Sequence, residues 1–198
     1  MAKKKFYAVK IGNIPGIYET WEECSKQVIG YKGAIYKSFS TFEDAKNFIE
    51  DNVDNEIVDD KDKAIAYVDG SYNIVTKEYS YGVVIFYKGK EYQFNQKFDN
   101  EELREMRNVA GEIEGAKKAM SFCLENNIKK LDIYYDYQGI ENWAIGAWKT
   151  NKEGTINYKS YYDGIKDKLQ VKFNKVKAHS NNRYNDLADK LAKDAVGI

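Results

Sequence analysis

Four acidic residues stand at positions where a carboxylate is costly to bury, and together they could hold divalent cations. Asp69 ends one apolar run of the chain, and Asp136 ends another. By strand alternation Asp69 shares a sheet face with Ile65 and Tyr67. Two carboxylates at the ends of central strands are expensive to desolvate unless a cation accompanies them. Turn capping remains the alternative for each aspartate taken singly.

A third acid, Glu112, is selected by helical geometry. At 100° per residue, Glu112 lies within about 40° of Ala116 and Ala119, which are small enough to allow close packing on a sheet. Glu114 points to the far side, where Lys117 and Lys118 offer an ordinary surface ion pair. The helix therefore turns Glu112 inward.

The last helix contains two candidate aspartates, and we choose Asp189. Asp189 shares its side of the helix with Ala192 and Val196. Asp186 faces Lys190 and Lys193 and lies in the first turn, where the helix dipole favours an acid for structural reasons alone.

These residue types indicate metal-assisted hydrolysis. Magnesium prefers a few oxygen ligands in octahedral geometry and keeps several waters. Two such ions about 4 Å apart can activate an attacking water and stabilise the leaving oxygen of a phosphodiester. We therefore predict Asp69, Glu112, Asp136 and Asp189 as the ligands of two Mg²⁺ ions, with Mn²⁺ as a possible substitute.

The elements that must position these acids are predicted from periodicity. Strands are expected at residues 64–69, 81–87, 90–98, 131–136 and 171–177, with a turn at 70–73, and helices at 106–126, 138–147, 161–169 and 185–196. Three antiparallel strands followed by alternating helices and strands predict an α/β fold, a mixed five-stranded sheet with flanking helices.

The first 48 residues predict a separate small α+β module. Strands are expected at residues 5–11 and 34–39, and Thr20 and Thr41 are candidate caps of two helices. Eight lysines and five acids give residues 1–48 a net charge of +3, whereas residues 49–62 carry −6. The domains expected are therefore a module at 1–48, an acidic linker at 49–62 and a larger domain at 63–198.

Composition limits the compartment and the partners. Cys24 and Cys123 have no metal-ligand spacing and suit a reduced environment, and the lysine-rich start has no apolar run behind it. These features predict a cytoplasmic protein without a membrane span. After the elements are assigned no large apolar stripe is left over, which predicts a monomer with no obligate protein partner. The net charge of zero is unusual for a nucleic-acid binder.

The segments around the four acids resemble the type 1 ribonuclease H family. The matching pieces are YVDGS at 67–71, NVAGE at 108–112, IYYD at 133–136, VKAH at 176–179 and NDLADKLA at 185–192. The family has a four-acid metal site whose last member lies ten residues beyond a histidine. Asp189 stands ten residues beyond His179, which agrees with the helical-face argument. The resemblance covers roughly residues 63–196.

The resemblance implies an endonuclease that hydrolyses the RNA strand of RNA–DNA hybrids and leaves 5′-phosphate and 3′-hydroxyl ends. It implies a proton-transfer or product-release role for His179, although a lone loop histidine is more often simply solvated. Asn108 matches a position that reads the sugar edge of the hybrid, and its alternative is a helix N-cap. Ser71 is expected to contact nucleic acid as well.

The N-terminal module resembles the hybrid-binding domain that accompanies many of these enzymes, through FYAV at 6–9, GIY at 16–18, WEEC at 21–24 and YKSF at 36–39. By that resemblance Tyr7, Trp21 and Tyr36 lie against sugars of the DNA strand, and Lys37 contacts phosphate. Ser38 stands where the family often has a second basic residue. For Tyr7 and Trp21 the alternative is the core of a small fold.

The segment from Trp143 to Trp148 departs from the family, because it lacks the lysines of the basic handle helix found in some members. Both tryptophans could line the DNA strand or fill the core. Without the basic handle, the electrostatic and salt-sensitive part of the affinity for the hybrid should be lower. A tethered N-terminal module would restore affinity, because it raises the effective concentration of the hybrid near the larger domain.

Two other functions compete with this one. A non-catalytic hybrid binder gains nothing from concentrated negative charge, and a transposase- or integrase-like nuclease would use the same sheet.

Overall fold

The computed structural model describes residues 5–50, 62–176 and 183–198 of the 198-residue chain. By its contacts the chain divides into two units, Met1–Glu56 and Ile57–Ile198. His179 lies outside the described residues. Among the residues described, no helix combines the length and the apolar character needed to cross a membrane.

The N-terminal unit is a three-stranded antiparallel sheet with two helices. Its elements in chain order are β1 (Phe6–Ile11), β2 (Gly16–Tyr18), α1 (Trp21–Val28), β3 (Ile35–Phe39) and α2 (Phe42–Glu50), and the strand order is β2-β1-β3. Thr20 caps α1 as expected, since its hydroxyl oxygen accepts from Glu23 N–H at 3.2 Å and its O–H donates to the Glu23 carboxylate. Thr41 does the same for α2 through Asp44.

The C-terminal unit contains a five-stranded mixed sheet with strand order β6-β5-β4-β7-β8. Its elements are β4 (Lys63–Tyr72), β5 (Tyr79–Tyr87), β6 (Lys90–Phe98), α3 (Glu101–Arg104), α4 (Asn108–Glu125), β7 (Lys130–Tyr135), α5 (Gly139–Ala144), α6 (Glu153–Ile165), β8 (Gln170–Lys175) and α7 (Arg183–Ala195). Strands β4, β5 and β6 are antiparallel, whereas β7 and β8 run parallel to β4. The predicted fold class, including the small N-terminal α+β unit, is confirmed.

Two helices approach opposite faces of this sheet through glycines. A Cβ atom added to Gly70 or Gly111 would overlap the backbone where α4 meets β4 and β5. A Cβ atom added to Gly82 would overlap Ala188 of α7. Because Gly82 is the cross-strand partner of Asp69, Asp69 points to the α7 face while its neighbour Gly70 faces α4. The end of β4 is thus enclosed between the two helices.

Most of the core lies on the α4 face. Val68, Val83, Ile113 and Ala116 are at most 2% exposed there, and fully burying one large aliphatic side chain contributes about 1.5–3 kcal/mol. The α7 face is aromatic instead, since the ring of Tyr184 lies against Tyr67 and Phe86. Both faces therefore anchor the elements that carry the acids.

Several predicted boundaries are wrong for identifiable reasons. Strand β4 continues through the Gly-Ser pair to Tyr72, and the chain reverses only at residues 73–78. The pair resembles a turn in sequence, but its residues stay in the ladder with β5. The helix predicted at 161–169 instead begins at Glu153, and the short elements β2 and α3 were not predicted.

Candidate metal site and nucleic-acid contacts

Three of the four predicted acids meet at one edge of the C-terminal sheet. One carboxylate oxygen each of Asp69, Glu112 and Asp136 lies within 4.8 Å of the other two. Strands β4 and β7 are parallel neighbours, with Tyr67 opposite Tyr134, so the aspartates two residues further along emerge at the same edge. Helix α4 brings Glu112 to that edge from one face of the sheet.

Asp69 is largely withdrawn from water near the end of β4. Its Oδ1 accepts a hydrogen bond from the N–H of Gly70 at 2.7 Å. Burial first, and then the charges of Asp136 and Asp189, raise the pKa of Asp69 to about 7, although the hydrogen bond from Gly70 and the charge of Lys193 oppose the shift. Like charges are therefore concentrated here, which favours the binding of a cation.

Glu112 is the most enclosed acid of the cluster, with 2% of its surface exposed. Burial first, and then the charges of Asp136 and Asp69, raise the pKa of Glu112 to about 9, although a hydrogen bond from the backbone of Tyr137 opposes the shift. Among the described residues its buried Oε2 has no hydrogen-bond partner.

The donor set fits a hard divalent cation. A buried carboxylate oxygen without a partner costs free energy, and oxygen ligands at this spacing suit Mg²⁺ or Mn²⁺. Asp69, Glu112 and Asp136 are the residues that would hold such an ion.

Asp189 lies beside the cluster without belonging to it in this arrangement. It is on α7, its side chain is 32% exposed, and it forms an ion pair with Lys193 at 2.7 Å. Its charge nevertheless acts on Asp69. Lys193 was expected on the same helix face as Asp186, and its ion pair with Asp189 was not predicted. A ligand role for Asp189 stays a prediction.

The other residues predicted near the acids are placed as follows. Ser71 is 6% exposed on β4. Asn108 is the exposed first residue of α4, and the N-cap is Arg107. The alternative role of Asn108 as an N-cap is therefore wrong, and a contact to the hybrid stays a prediction. His179 lies outside the described ranges, and its role stays a prediction.

The two tryptophans lie in different settings. Trp143 is half-buried, packs against the main core and lies 5.7 Å from the ring of Tyr137, centroid to centroid. Trp148 is 41% exposed and meets Trp143 edge-on at 5.9 Å. Trp143 also lines a cavity of about 380 Å³ together with Val109 and Lys149. Trp148 therefore does not fill the core, whereas Trp143 partly does.

The N-terminal unit presents three adjacent aromatic rings, which we call the aromatic trio: Tyr7, Trp21 and Tyr36. Centroid distances are 5.8 Å for Tyr7–Trp21 and 5.7 Å for Trp21–Tyr36. Trp21 is 45% exposed and Tyr36 46%, whereas Tyr7 packs against the small core. The alternative that Trp21 forms the core is wrong. Lys37 is exposed beside the ring of Phe39.

One buried contact near the acids was not predicted. The hydroxyl of Tyr135 donates to Glu141 Oε2 at 2.5 Å. The contact joins a strand to the helix after it, and neither residue stands out in the sequence, since a glutamate in the first turn of a helix is ordinary. The contact lies next to Asp136.

A mixed sheet of this strand order, with carboxylates gathered where its parallel strands end, defines a class of α/β protein suited to metal-assisted phosphodiester chemistry. The family model described as RNase H matches residues 61–197, and the model described as Ribonuclease H1 N-terminal domain matches residues 5–49. The chain belongs to the RNase H family, as the sequence motifs indicated.

Relatives named Ribonuclease H match the two parts of the chain separately. The protein of Saccharomyces cerevisiae is 59% identical over 44 residues, which cover 22% of this chain and 13% of the relative. That of Crithidia fasciculata is 49% identical over 47 residues, 24% of this chain and 10% of the relative. Against these two, the chain spans only a small part of the relative. The protein of Clostridium botulinum is 28% identical over 149 residues, 68% of this chain and 95% of the relative.

Solved structures agree on the fold. RNase H1 from Halobacterium salinarum is 18% identical with a TM-score of 0.56 over 68% of this chain and 98% of the other. LC11-RNase H1, solved in complex with an RNA/DNA hybrid, is 16% identical with a TM-score of 0.53 over 67% of this chain and 99% of the other. At such identities the likeness concerns the fold alone.

Proposed function

We propose that this chain is an endonuclease that hydrolyses the RNA strand of RNA–DNA hybrids by a two-metal-ion mechanism, leaving 5′-phosphate and 3′-hydroxyl ends. Mg²⁺ is the proposed cofactor, and Mn²⁺ a possible substitute. The observation that carries the proposal is the meeting of Asp69, Glu112 and Asp136 within 4.8 Å at the sheet edge. Membership of the RNase H family supports the choice of substrate.

The acidic cluster supplies the oxygen atoms that would hold the metal ions. When bound, the metal ions would activate the attacking water and stabilise the leaving 3′-oxygen. Glu112 offers a buried oxygen that has no partner among the described residues, and Gly70 fixes the rotation of the Asp69 carboxylate through its N–H. Asp189, held by Lys193, is proposed as the fourth ligand. His179 is proposed to assist proton transfer or product release.

Binding of the hybrid is proposed to use side chains of both units. Ser71, Asn108, Trp143 and Trp148 would contact it in the C-terminal unit. The aromatic trio and Lys37 would contact it in the N-terminal unit, where two rings are already exposed. A 2′-hydroxyl contact is what allows a protein to tell RNA from DNA, and Asn108 is our candidate for it.

A cleavage assay on matched duplexes tests this function. RNA–DNA, RNA–RNA and DNA–DNA duplexes of one sequence are labelled on each strand and incubated with Mg²⁺ or with EDTA. We expect metal-dependent cutting of RNA in the hybrid alone, with 5′-phosphate on the new ends. Binding of the hybrid without cutting would show a non-catalytic binder, and cutting of DNA–DNA would favour a transposase- or integrase-like nuclease.

A further inference from the structure

Asp136 lies in the least regular of the three segments that carry the clustered acids. It follows β7 directly, and α5 begins at Gly139, so residues 136–138 form the whole connection. Asp69 and Glu112, in contrast, lie within a strand and a helix, whose backbone hydrogen bonds hold them in place. The position of Asp136 therefore depends in part on contacts that its neighbours in the chain make.

Glu141, in the first turn of α5, accepts hydrogen bonds from both sides of Asp136. The hydroxyl of Tyr135 donates to Glu141 Oε2 at 2.5 Å, and the side-chain amide of Gln138 donates to the same oxygen at 3.4 Å. Tyr135 precedes Asp136 by one residue, and Gln138 follows it by two. One carboxylate thus closes a bridge across the segment that carries Asp136.

Tyr135 gives this bridge a fixed end. Its side chain is fully buried, and its ring packs edge-on against Phe173 with centroids 6.2 Å apart. Its backbone carbonyl accepts from Val176 N–H at 2.8 Å. A hydrogen bond from a hydroxyl to an ionised carboxylate is short and stronger than one between neutral groups. The contact therefore ties Glu141 to the body of the sheet.

The same segment is held from the other side by the cluster itself. Tyr137, next to Asp136, donates its backbone N–H to Glu112. Glu112 reaches the segment from α4, and Glu141 reaches it from α5. Two carboxylates on different helices therefore fix the residues on both sides of Asp136.

We propose that Glu141 is a positioning residue that acts through Tyr135 and Gln138 to hold the Asp136 carboxylate where Asp69 and Glu112 can share a cation with it. The inference rests on the proposed function and concerns a residue outside the metal-binding cluster. Side chains that are already held in position bind a cation more tightly, because less conformational entropy is lost on binding. Mutating a residue that orients a metal ligand commonly lowers the affinity for the metal by about 10- to 100-fold.

The test compares two buried tyrosines. Tyr135→Phe removes the bridge, whereas Tyr158→Phe removes the hydroxyl of another fully buried tyrosine, which donates to the carbonyl of Ile140 at 3.0 Å. Glu141→Ala removes the acceptor, and Glu141→Gln keeps an oxygen that can accept both hydrogen bonds. For each full-length variant, Mn²⁺ affinity is measured by calorimetry without nucleic acid, and kcat and KM are measured on a hybrid.

We expect Tyr135→Phe and Glu141→Ala to weaken Mn²⁺ binding about tenfold and to lower kcat while KM for the hybrid stays within about twofold. Glu141→Gln should recover most of the affinity. Tyr158→Phe should lower the melting temperature as Tyr135→Phe does, yet leave Mn²⁺ affinity and kcat unchanged.

A Mn²⁺ affinity of the Tyr135→Phe variant equal to that of the Tyr158→Phe variant would reduce the bridge to a purely structural contact, even if Glu141→Ala does not fold. If the unaltered chain binds Mn²⁺ but cuts no hybrid, the proposed function fails, while the calorimetry still decides the role of Glu141.

Discussion

The two units of this chain depart from ordinary burial in opposite directions. In the N-terminal unit large aromatic rings are exposed, with Trp21 at 45% and Tyr36 at 46%. In the C-terminal unit the acidic side chain of Glu112 is buried, with 2% of its surface exposed. Exposed rings can lie against a nucleic acid without rearrangement. Burying a carboxylate costs free energy, and a bound cation offsets that cost. The comparison teaches that exposed aromatic rings indicate a candidate binding surface, whereas a buried carboxylate indicates a candidate metal site.

The units also differ in what supports these side chains. The aromatic trio lies on a three-stranded sheet with a small core around Val9, Cys24 and Val28. The acids lie at the edge of a five-stranded sheet whose core extends over both strands and helices. Burying carboxylates together costs several kcal/mol in a protein, so that only the larger unit can stabilise them. Changes in the two units should therefore have different consequences.

The largest effect is expected in the acidic cluster. Asp69→Asn should reduce hybrid cleavage by about 10³-fold or more, because a lost ligand removes several kcal/mol of charge stabilisation in the transition state. Hybrid affinity should remain within about threefold, since the aromatic trio is untouched. Single-turnover cleavage and filter binding measure the two quantities. Asp163→Asn, which removes an exposed acid paired with lysines on α6, is the control and should behave as the unaltered chain.

A smaller effect concerns stability against pH in the absence of metal. Asp69 and Glu112 have pKa values raised to about 7 and about 9, so between pH 5 and 9 the folded state binds more protons than the unfolded state. The stability that these two carboxyl groups contribute is therefore present at low pH and is lost as the pH rises through their folded-state pKa values.

We expect the free energy of unfolding to fall by roughly 4 kcal/mol from pH 5 to 8 through Glu112 alone, since each pH unit between its unfolded and folded pKa values corresponds to about 1.36 kcal/mol. Urea unfolding at several pH values measures it. Glu112→Gln should flatten the dependence and Mg²⁺ should oppose it. Glu114→Gln, on the outer side of the same helix, should change neither, and an equally steep profile in Glu112→Gln would contradict the account.

Removal of the N-terminal unit should act on substrate affinity. Deleting residues 1–50 should raise KM by about 10²-fold, because the tethered unit raises the effective concentration of the hybrid, and kcat should change by less than about threefold. Steady-state cleavage and a thermal melt of the remaining unit provide the measurements. An unchanged KM would mean that residues 5–50 contribute no substrate binding.

The smallest effect is expected within the aromatic trio. Trp21→Ala should weaken hybrid binding by about tenfold, the usual value for one aromatic contact to nucleic acid, with kcat unaffected. Tyr31→Ala, which removes another exposed ring of the same unit outside the trio, is the matched control. Equal losses in both variants, measured by fluorescence anisotropy, would show that the trio has no special role.

Regular periodicity explains what the sequence could reveal. Glu112 and Glu114 differ by two positions on one helix, and the helical angle alone separates the buried acid from the one paired with Lys117 at 2.9 Å. The fold class follows from the alternation of predicted strands and helices along the chain. Such features depend on residues close together in the chain.

Contacts between elements explain what the sequence missed. Lys193 lies at helical spacing from both Asp186 and Asp189, and only the fold shows that it pairs with Asp189. The bond between Tyr135 and Glu141 joins a strand to the following helix, and β4 passes through a Gly-Ser pair that local rules assign to a turn. Each of these outcomes is decided by packing rather than by local preference.

The central claim is that Asp69, Glu112 and Asp136 share a divalent cation. Anomalous diffraction from crystals of the full chain soaked in Mn²⁺ tests it most directly. We predict a peak with oxygen atoms of all three carboxylates at about 2.1 Å, and a second, nearby peak when a hybrid is bound. Strong Mn²⁺ peaks elsewhere, with none between these three side chains, would contradict the account.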